Sequence, residues 1–358
     1  MVDSLRVGIA GLSASGGWAA GAHVPALRQL PGFELTALAA STMASARAAG
    51  DAFGVATVFD DVEAMAECDE VDMVVVTVKV PHHRELVAPA LHTGKIVLCE
   101  WPLATDVSEA SALAAAATAP AFVGLQARSA PTIRFLGDLI ADGYLGTVLS
   151  TTMVGSGGTW GDTVDSRNAY TLDRTSGATM LTIPFGHAVD ALAAVLGEFE
   201  TLQATTATRR PRVRETGTER WLPMTAADQI AVVGQLSCGA VASIHYRGGV
   251  CRGTNFHWEL NGTEGDLVLT ADRTGHIQLE SLVLRGSQRG SELVELSIPA
   301  SYLTVDVGFA HSNPRAYHVA CQYAQILADL REGTQLAPTF ADAVVRHRLL
   351  AEIESAAG

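Results

Sequence analysis

The feature that most constrains this chain is a glycine-rich turn near its amino terminus, in the stretch RVGIAGLSASGGWAAGAHVPAL (Arg6–Leu27). A short apolar run leads into Gly11, Gly16 and Gly17, and a helical pattern follows. Glycines between a strand and a helix let backbone N–H groups and the helix amino terminus approach a pyrophosphate closely. The stretch predicts a dinucleotide site in which Ser13 replaces the second glycine of the G-x-G-x-x-G pattern. The alternative is a glycine-rich turn without a ligand.

Short apolar runs alternate with longer Ala-rich stretches of helical period over residues 1–127. This alternation is typical of βαβ units, and right-handed crossovers between them predict an α/β domain with a doubly wound parallel sheet of the Rossmann type. The predicted strands are Arg6–Ala10, Glu34–Ala39, Met73–Val78, Ile96–Cys99 and Ala121–Leu125. The predicted helices are Ala22–Gln29, Met43–Phe53, Glu85–Thr93 and Val107–Ala117.

The pattern changes in residues 128–358, where strand-like segments follow one another through Gly and Asn/Asp turns. This order predicts an α+β domain with an open, mostly antiparallel sheet. The predicted strands are Leu149–Gly155, Leu202–Thr208, Ile230–Leu236, Ala240–Tyr246, Phe256–Gly262, Gly265–Thr270 and Ile277–Leu284. The predicted helices are Phe185–Leu196, Arg315–Glu332 and Phe340–Ala356, of which the last two are free to pack back on the first domain.

Charge and cysteine usage exclude several classes of partner. The 358 residues carry a formal net charge of −14, which repels a phosphate backbone, so we expect no direct nucleic-acid contact. The five cysteines are odd in number and form no C-x-x-C pair, which argues against a zinc site and a disulfide framework. No signal-peptide pattern and no apolar stretch of membrane-spanning length occurs, so a cytoplasmic protein without a membrane anchor is expected.

The residues at the end of the second predicted strand indicate whether NAD or NADP is preferred. An Asp or Glu is typical there when NAD is preferred, but the stretch reads Ala40, Ser41, Thr42. Without a carboxylate, a 2′-phosphate is not repelled, and the two hydroxyls and Arg47 are available to bind it. NADP is therefore favoured over NAD. The alternative is that the hydroxyls only cap the next helix.

Two further segments carry ionisable groups next to predicted strands or helices. Lys79 follows the third strand and suits a phosphate neutraliser or an acid, although such a lysine is also often a solvated loop charge. The adjacent His82 and His83 lack an acidic or cysteine partner at metal-ligand spacing, so no metal site is expected. On a predicted helix, His187 with Asp190 three residues later suits proton transfer near neutral pH, and a structural histidine is the alternative.

The stretch GSGGTWGDTVDSRNAY (Gly155–Tyr170) predicts a long loop. Its Trp160, Arg167 and Tyr170 are suited to stacking on a sugar or polyol ring and to hydrogen bonding with it. A plain surface loop explains the same residues.

Several motifs, taken in order, resemble one known family. They are the glycine-rich first turn, GKIVLCEWPLA, GLQARSAPTIRFLGDLIADGYLG, FGHAVDAL, LNGTEGDLVL and HRLLAEIESA. The chain is similar over nearly its whole length to the glucose–fructose oxidoreductase, inositol dehydrogenase and rhizopine-catabolism (Gfo/Idh/MocA) family. GLSASGGWAAGAHVPAL, EWPLA, LQARSAP and FGH resemble the branch that contains the yeast galactose-regulon repressor, a dinucleotide-binding regulator on the dehydrogenase fold.

The resemblance implies a set of cofactor-binding positions and a departure from the active enzymes. The implied positions are Gly11, Ser13, Gly16, Gly17 and Trp18 at the pyrophosphate, Ser41 and Thr42 at the adenine ribose, and Val78, Lys79, His83, Glu100 and Trp101 towards the nicotinamide. In active dehydrogenases the fourth strand ends in Glu-Lys-Pro, whereas Trp101 replaces that lysine and cannot titrate. Ile183 replaces the Asp that usually precedes the catalytic histidine, so only His187 remains.

These observations favour an NAD(P)-dependent oxidoreductase of a sugar, cyclitol or related alcohol or carbonyl compound. In this hypothesis His187 handles the proton, Lys79 and Tyr170 assist, Trp101 orients the ring, and the nicotinamide lies between Trp101 and His187. Trp160, Arg167 and Asp190 are the expected substrate-binding residues. A non-catalytic dinucleotide-dependent regulator and a reductase of an imine or conjugated carbonyl are the alternatives. The second-domain sheet is expected to support a homo-oligomer.

Overall fold

The chain forms two compact units in the computed structural model, which describes residues 4–271 and 273–358. The first unit comprises the chain up to Ser129 together with Thr304–His347, and the second comprises Ala130–Leu303 and Arg348–Gly358. The first change of unit falls close to the predicted boundary. The segment Thr304–His347, which contains one of the predicted carboxyl-terminal helices, belongs to the first unit.

The first unit is built on a parallel sheet of six strands. These are β1 (Leu5–Ala10), β2 (Phe33–Ala39), β3 (Thr57–Phe59), β4 (Met73–Val76), β5 (Ile96–Glu100) and β6 (Ala121–Gly124). Their order is β3-β2-β1-β4-β5-β6, and all neighbours are parallel. The chain winds outwards in both directions from β1 and β4. Ligands of such sheets bind beyond the carboxyl ends of the strands at this reversal point.

The described residues of the two units form ten α-helices. They are α1 (Val24–Gln29), α2 (Met43–Phe53), α3 (Val62–Glu67), α4 (His83–His92), α5 (Val107–Ala116), α6 (Pro131–Ala141), α7 (Gly186–Leu196), α8 (Val307–Ser312), α9 (Pro314–Glu332) and α10 (Phe340–Ala357). Of these, α6 and α7 belong to the second unit. A π-helical turn, Ala19–His23, precedes α1, and another, Leu181–Phe185, precedes α7. Every residue of β4 is buried, as expected for a central parallel strand. The core also contains Tyr323 and Ile326 of α9, so this late segment completes the first unit.

The second unit contains eleven strands within the described residues. They are β7 (Val148–Gly157), β8 (Thr163–Val164), β9 (Phe199–Ala207), β10 (Arg212–Glu215), β11 (Trp221–Pro223), β12 (Gln229–Leu236), β13 (Val241–Gly248), β14 (Phe256–Gly262), β15 (Gly265–Ala271), β16 (Val283–Gln288) and β17 (Val294–Glu295). Eight form a sheet in the order β17-β16-β15-β14-β7-β13-β12-β9, in which only β7 and β13 are parallel neighbours. The strands β11-β10-β8 form a small second sheet. The predicted fold class, a Rossmann domain followed by an open and mostly antiparallel sheet, is confirmed.

One strand prediction in the second unit ended too early, and another was wrong. The strand predicted to end at Gly155 continues to Gly157, so the following loop begins later than predicted, and Gly155 leaves the space that the ring of Tyr246 fills. The predicted strand Ile277–Leu284 is mostly a turn, in which Leu279 N donates to His276 O at 2.9 Å, and the strand β16 starts only near its end. The apolar residues of this segment are buried or partly buried, but most of its backbone does not pair with a neighbouring strand. No helix in the described part of the chain has the length and apolar character needed to cross a lipid bilayer.

Candidate dinucleotide site

The glycine-rich turn lies at the carboxyl end of β1, next to β4. Gly11, Gly16 and Gly17 have φ angles of +96°, +91° and +127°, which side-chain-bearing residues rarely adopt. A Cβ at Gly11 would lie 2.8 Å from Val78 Cγ1, so a side chain here would close the space between the ends of the two strands. Both properties keep the backbone of the turn open to a ligand.

The residues that follow Gly11 also fit a dinucleotide. The hydroxyl of Ser13 lies 2.9 Å from that of Ser15 and accepts from Ser15 N–H at 3.3 Å, so Ser13 organises the turn that the second glycine would otherwise form. The indole Nε1 of Trp18, at the start of the π-helical turn, is buried and has no hydrogen-bond partner within the described residues. A buried donor without a partner is uncommon and indicates a missing polar group nearby.

The end of β2 carries no carboxylate, as the sequence predicts. Thr42 caps α2: its hydroxyl accepts from Ser45 N–H at 3.2 Å and donates to Ser45 Oγ at 2.9 Å. The capping interpretation is therefore correct for Thr42. Ser41 and Arg47 are exposed, which leaves them available to a 2′-phosphate.

Trp101 follows β5 directly and is buried, with 5% of its surface exposed. Its ring packs against that of His347 in α10, with 4.7 Å between ring centres and a 47° tilt. Burial lowers the pKa of His347 to about 4, Asp106 opposes this shift, and His83 adds to it. The imidazole is therefore neutral at about pH 7 and packs as a flat ring against the indole. Trp101 therefore forms a rigid aromatic surface at the end of β5.

Glu100, immediately before Trp101, belongs to a buried network that the sequence analysis missed. Glu100 Oε1 lies 2.9 Å from His23 Nε2, and His23 Nδ1 lies 2.8 Å from the hydroxyl of Tyr323 in α9. His23 and Tyr323 are fully buried. A Cβ at Gly124 would lie 2.8 Å from Glu100 Oε1, so a glycine at the end of β6 makes room for the carboxylate. The edge of the Trp18 ring meets His23, with 6.3 Å between ring centres, which links this network to the glycine-rich turn.

Lys79 and His83, two of the predicted cofactor residues, follow β4 and differ in exposure. Lys79 is exposed. His83 is buried, and its Nε2 lies 3.0 Å from Val78 O while its Nδ1 lies 3.2 Å from Leu103 O and 3.3 Å from Cys99 Sγ. Burial lowers the pKa of His83, so the ring is neutral and joins three segments of the unit. Both ring nitrogens lie within hydrogen-bonding distance of protein atoms, and the contact of His83 with the cofactor stays a prediction.

His187 lies at the start of α7 in the second unit and is buried. Burial lowers its pKa to about 3, against an opposing effect of Asp190 and with a further lowering by His276. Its Nδ1 has no hydrogen-bond partner among the residues that the structure describes. The imidazole is therefore neutral at about pH 7 and a weak base. Since Trp101 belongs to the first unit, the expectation that these two residues flank one nicotinamide stays a prediction.

The predicted substrate residues of the second unit differ in exposure. Trp160 is buried to 1% exposure and its indole donates to Thr171 O at 2.9 Å, so the expectation of an indole free to stack on a sugar was wrong. Arg167 is exposed, Asp190 is fully buried, and Tyr170 is half-buried. Burial raises the pKa of Tyr170, which keeps its hydroxyl protonated.

A cluster of positive charge was also missed. Five arginines fall in residues 209–220, although the chain as a whole is acidic. Arg212 and Arg214 point to the exposed side of the β10–β11 hairpin, and Trp221, which is 52% exposed, pairs across from Arg214. The net charge of the whole chain does not reveal this local group of arginines. The expected absence of nucleic-acid contact therefore stays a prediction.

The fold and the glycine-rich turn define a dinucleotide-binding Rossmann protein with a second, α+β unit. Residues 5–122 match the family model for the Gfo/Idh/MocA oxidoreductases with an NAD-binding Rossmann fold, and residues 131–271 match the model for the Gal80p C-terminal domain. The chain belongs to the Gfo/Idh/MocA oxidoreductase family, and its second unit is of the Gal80p type. The predicted resemblance is confirmed.

Relatives of this chain include both dehydrogenases and regulators. It is 36% identical to dehydrogenase aclE of Aspergillus oryzae over 59% of this chain and 60% of that protein. It is 30% identical to the galactose/lactose metabolism regulatory protein GAL80 of Saccharomyces cerevisiae over 78% of this chain and 69% of that protein. The crystal structure of a super-repressor mutant of that Gal80p has a TM-score of 0.87 at 26% identity, covering 99% of this chain and 96% of the other.

A more distant neighbour shows the same fold with a cofactor. The levoglucosan dehydrogenase complex with NADH and L-sorbose has a TM-score of 0.82 at 20% identity, covering 99% of this chain and 97% of the other. The match with aclE spans less than two thirds of that relative.

Proposed function

We propose that this protein is an NAD(P)-dependent oxidoreductase whose substrate is a sugar, a cyclitol or a related alcohol or carbonyl compound. The observation that carries the proposal is the open glycine-rich turn at the reversal point of the sheet, with the unpaired donor of Trp18 beside it. The names of the relatives, which include a dehydrogenase and levoglucosan dehydrogenase, support this reaction class.

The residues of the first unit fit the parts of a dinucleotide. Gly11, Ser13, Gly16 and Gly17 would hold the pyrophosphate with backbone N–H groups and the Ser13 hydroxyl. When bound, the nicotinamide supplies the acceptor or donor of a hydride. Because no carboxylate stands at the end of β2, we propose that NADP(H) binds more tightly than NAD(H), through Ser41, Thr42 and Arg47.

Substrate binding is assigned to the second unit. In the proposal, the exposed Arg167 contacts the substrate and the half-buried Tyr170 assists, while the buried Asp190 acts on the neutral ring of His187. Lys79 is proposed as a phosphate-neutralising or acidic group of the dinucleotide site in the first unit. We also propose that the open face of the eight-stranded sheet holds copies of the chain together in a homo-oligomer.

Cofactor binding is tested by calorimetric titration with NADPH and NADH. We expect both to bind, NADPH more tightly, and Gly11→Ala to weaken binding by about tenfold or more, because the added Cβ meets Val78. Gly94→Ala is the matched control, since Gly94 also has a positive φ of +70° but no atom within 4 Å of the added Cβ. Equal loss in both variants would mean that backbone strain and not the turn geometry causes the effect. Turnover is then measured with a panel of sugars, cyclitols and their keto forms through the absorbance of the reduced nicotinamide.

A dinucleotide-dependent regulator is the second candidate function. Two observations favour it: Trp101 cannot titrate, and His187 is neutral because of its burial. The Gal80 relatives are named as regulatory proteins. Binding of a dinucleotide without turnover on any member of the panel, together with capture of a specific protein that requires the dinucleotide, would support this function over the first.

A further inference from the structure

The carboxyl end of β5 carries an ionisable side chain that has no role in the reaction as proposed above. The lysine that handles protons in the active relatives is replaced by Trp101, but Glu100 directly before it is a carboxylate. It stands at the end of β5, next to β4 in the sheet order. This is the edge of the sheet that also bears the glycine-rich turn.

His23 and Tyr323 define the hydrogen-bonding state of Glu100. One assignment satisfies every group: the Tyr323 hydroxyl donates to His23 Nδ1, and His23 Nε2–H donates to Glu100 Oε1. All three side chains are then oriented by hydrogen bonds.

The second oxygen of Glu100 remains available. The Glu100 side chain is 14% exposed, and its Oε2 is neither buried nor bonded within the described residues. One oxygen is therefore fixed inside the unit while the other is accessible. A carboxylate in this arrangement is oriented before a ligand arrives, which is how acid–base groups gain efficiency.

We propose that Glu100 is the proton-accepting catalytic residue of this site and that His23 and Tyr323 are positioning residues that hold it. The proposal rests on the oxidoreductase function proposed above. In oxidation of an alcohol, a bound oxidised dinucleotide would accept the hydride from the C–H bond, the O–H electron pair would form the C=O bond, and the released proton would pass to Glu100 Oε2. The carboxylic acid then loses the proton to water, and the reverse direction returns it to the new alkoxide oxygen.

Other ionisable groups surround Glu100 and are placed so that they do not compete for this proton. Burial lowers the pKa of His83 and raises that of the Cys99 thiol and the Tyr323 hydroxyl, and the charge of Glu100 acts upward on all three. His83 is therefore neutral and the other two remain protonated. His23 is the group in direct contact with the carboxylate.

The first test uses the charge difference between oxidised and reduced dinucleotide. A carboxylate near the nicotinamide attracts the positively charged oxidised ring but not the neutral reduced ring, so Glu100→Gln should weaken NADP⁺ binding about fivefold and change NADPH binding less than about twofold. Gln retains the acceptor for His23, so the network stays intact. Glu67→Gln, an exposed position on α3, is the control and should change neither affinity. An unchanged ratio of the two affinities in Glu100→Gln would overturn the proposal.

The second test separates positioning from mere packing. Removal of the donor in His23→Leu leaves Glu100 without its orienting hydrogen bond and should reduce the advantage of NADP⁺ over NADPH by about twofold or more. His23→Gln restores an N–H donor and should recover part of this advantage, while Tyr323→Phe should have a smaller effect than His23→Leu in the same direction. If His23→Leu fails to fold, the comparison of Tyr323→Phe with His23→Gln still tests the positioning role. An affinity ratio equal to that of the wild-type protein in every folded variant would contradict this role.

These results are distinguishable from failure of the proposed function. If wild-type protein binds neither NADPH nor NADH, the dinucleotide proposal itself falls. If it binds both but Glu100→Gln leaves the affinity ratio unchanged, only the role of Glu100 falls.

Discussion

His23 in the first unit and His187 in the second are both buried histidines at π-helical turns that lead into a helix, but their surroundings differ. Both ring nitrogens of His23 have partners, Glu100 and Tyr323, which come from β5 and α9. His187 has an unpaired Nδ1, and burial lowers its pKa to about 3. The first histidine joins distant segments through hydrogen bonds, whereas the second is a neutral ring packed in a core.

This difference matters because sequence resemblance points to His187, not His23, as the functional histidine. A histidine as deeply buried as His187 resists protonation although Asp190 opposes this effect, and it is a poor acid near neutral pH. A histidine that donates to an accessible carboxylate can instead orient that carboxylate. This is why we propose the end of β5, and not His187, as the place of proton transfer.

The largest expected effect is on stability when His23 is removed. His23→Leu leaves the Glu100 carboxylate and the Tyr323 hydroxyl without their partner, which should lower the free energy of unfolding by about 3 kcal/mol. His187→Leu removes an unpaired nitrogen and fills similar volume, so it should change that free energy by less than about 1 kcal/mol near pH 7. Urea denaturation of both variants measures the contrast. Similar losses of unfolding free energy in both variants would show that the two histidines do not differ in this way.

The second effect appears when pH is lowered. The pKa of His187 is about 3 in the folded protein and near 6.5 when unfolded, so the unfolded chain binds more protons between these values and stability falls as pH falls. His187 alone should contribute about 1.4 kcal/mol of loss per pH unit between about pH 6 and pH 4. Urea denaturation across this range should show a flatter dependence for His187→Leu.

His347 acts in the same direction, because burial also lowers its pKa, to about 4. The double variant His187→Leu/His347→Leu should therefore be flatter than either single variant. A wild-type slope in the double variant would mean that other groups dominate acid unfolding.

The smallest effect concerns the cap of α2. Thr42→Ala removes the side chain that accepts from Ser45 N–H and should cost about 1 kcal/mol of unfolding free energy. If Thr42 serves the cofactor only through this cap, Thr42→Ser should restore both stability and NADPH affinity. Loss of NADPH affinity in Thr42→Ser would show that the methyl group also matters.

The glycine-rich turn could be predicted from the sequence because its information is local. Gly11, Gly16 and Gly17 follow a strand directly, and each has the positive φ that the motif requires. Five of the six Rossmann strands were predicted for the same reason, since each is a mostly apolar run, but the three-residue strand β3 was not predicted. The continuation of β7 beyond Gly155 could not be predicted in this way, because Gly155 packs against Tyr246, which lies on a strand far along the chain.

The Glu100 network lay beyond sequence reasoning for the same physical reason. His23 and Tyr323 are 300 residues apart, and nothing in the periodicity of either segment records the contact. The arginines of residues 209–220 are a local feature of the sequence that the net charge of the whole chain does not reveal.

The place of α9 in the first unit has a consequence for biosynthesis. A ribosome releases the strands of the first unit, then all of Ala130–Leu303, and only afterwards the helix that brings Tyr323 to His23. At ordinary elongation rates this interval lasts roughly ten to thirty seconds, during which the nascent Rossmann sheet lacks part of its cover. The dinucleotide turn is thus translated first, yet its neighbouring network is assembled among the last events of folding.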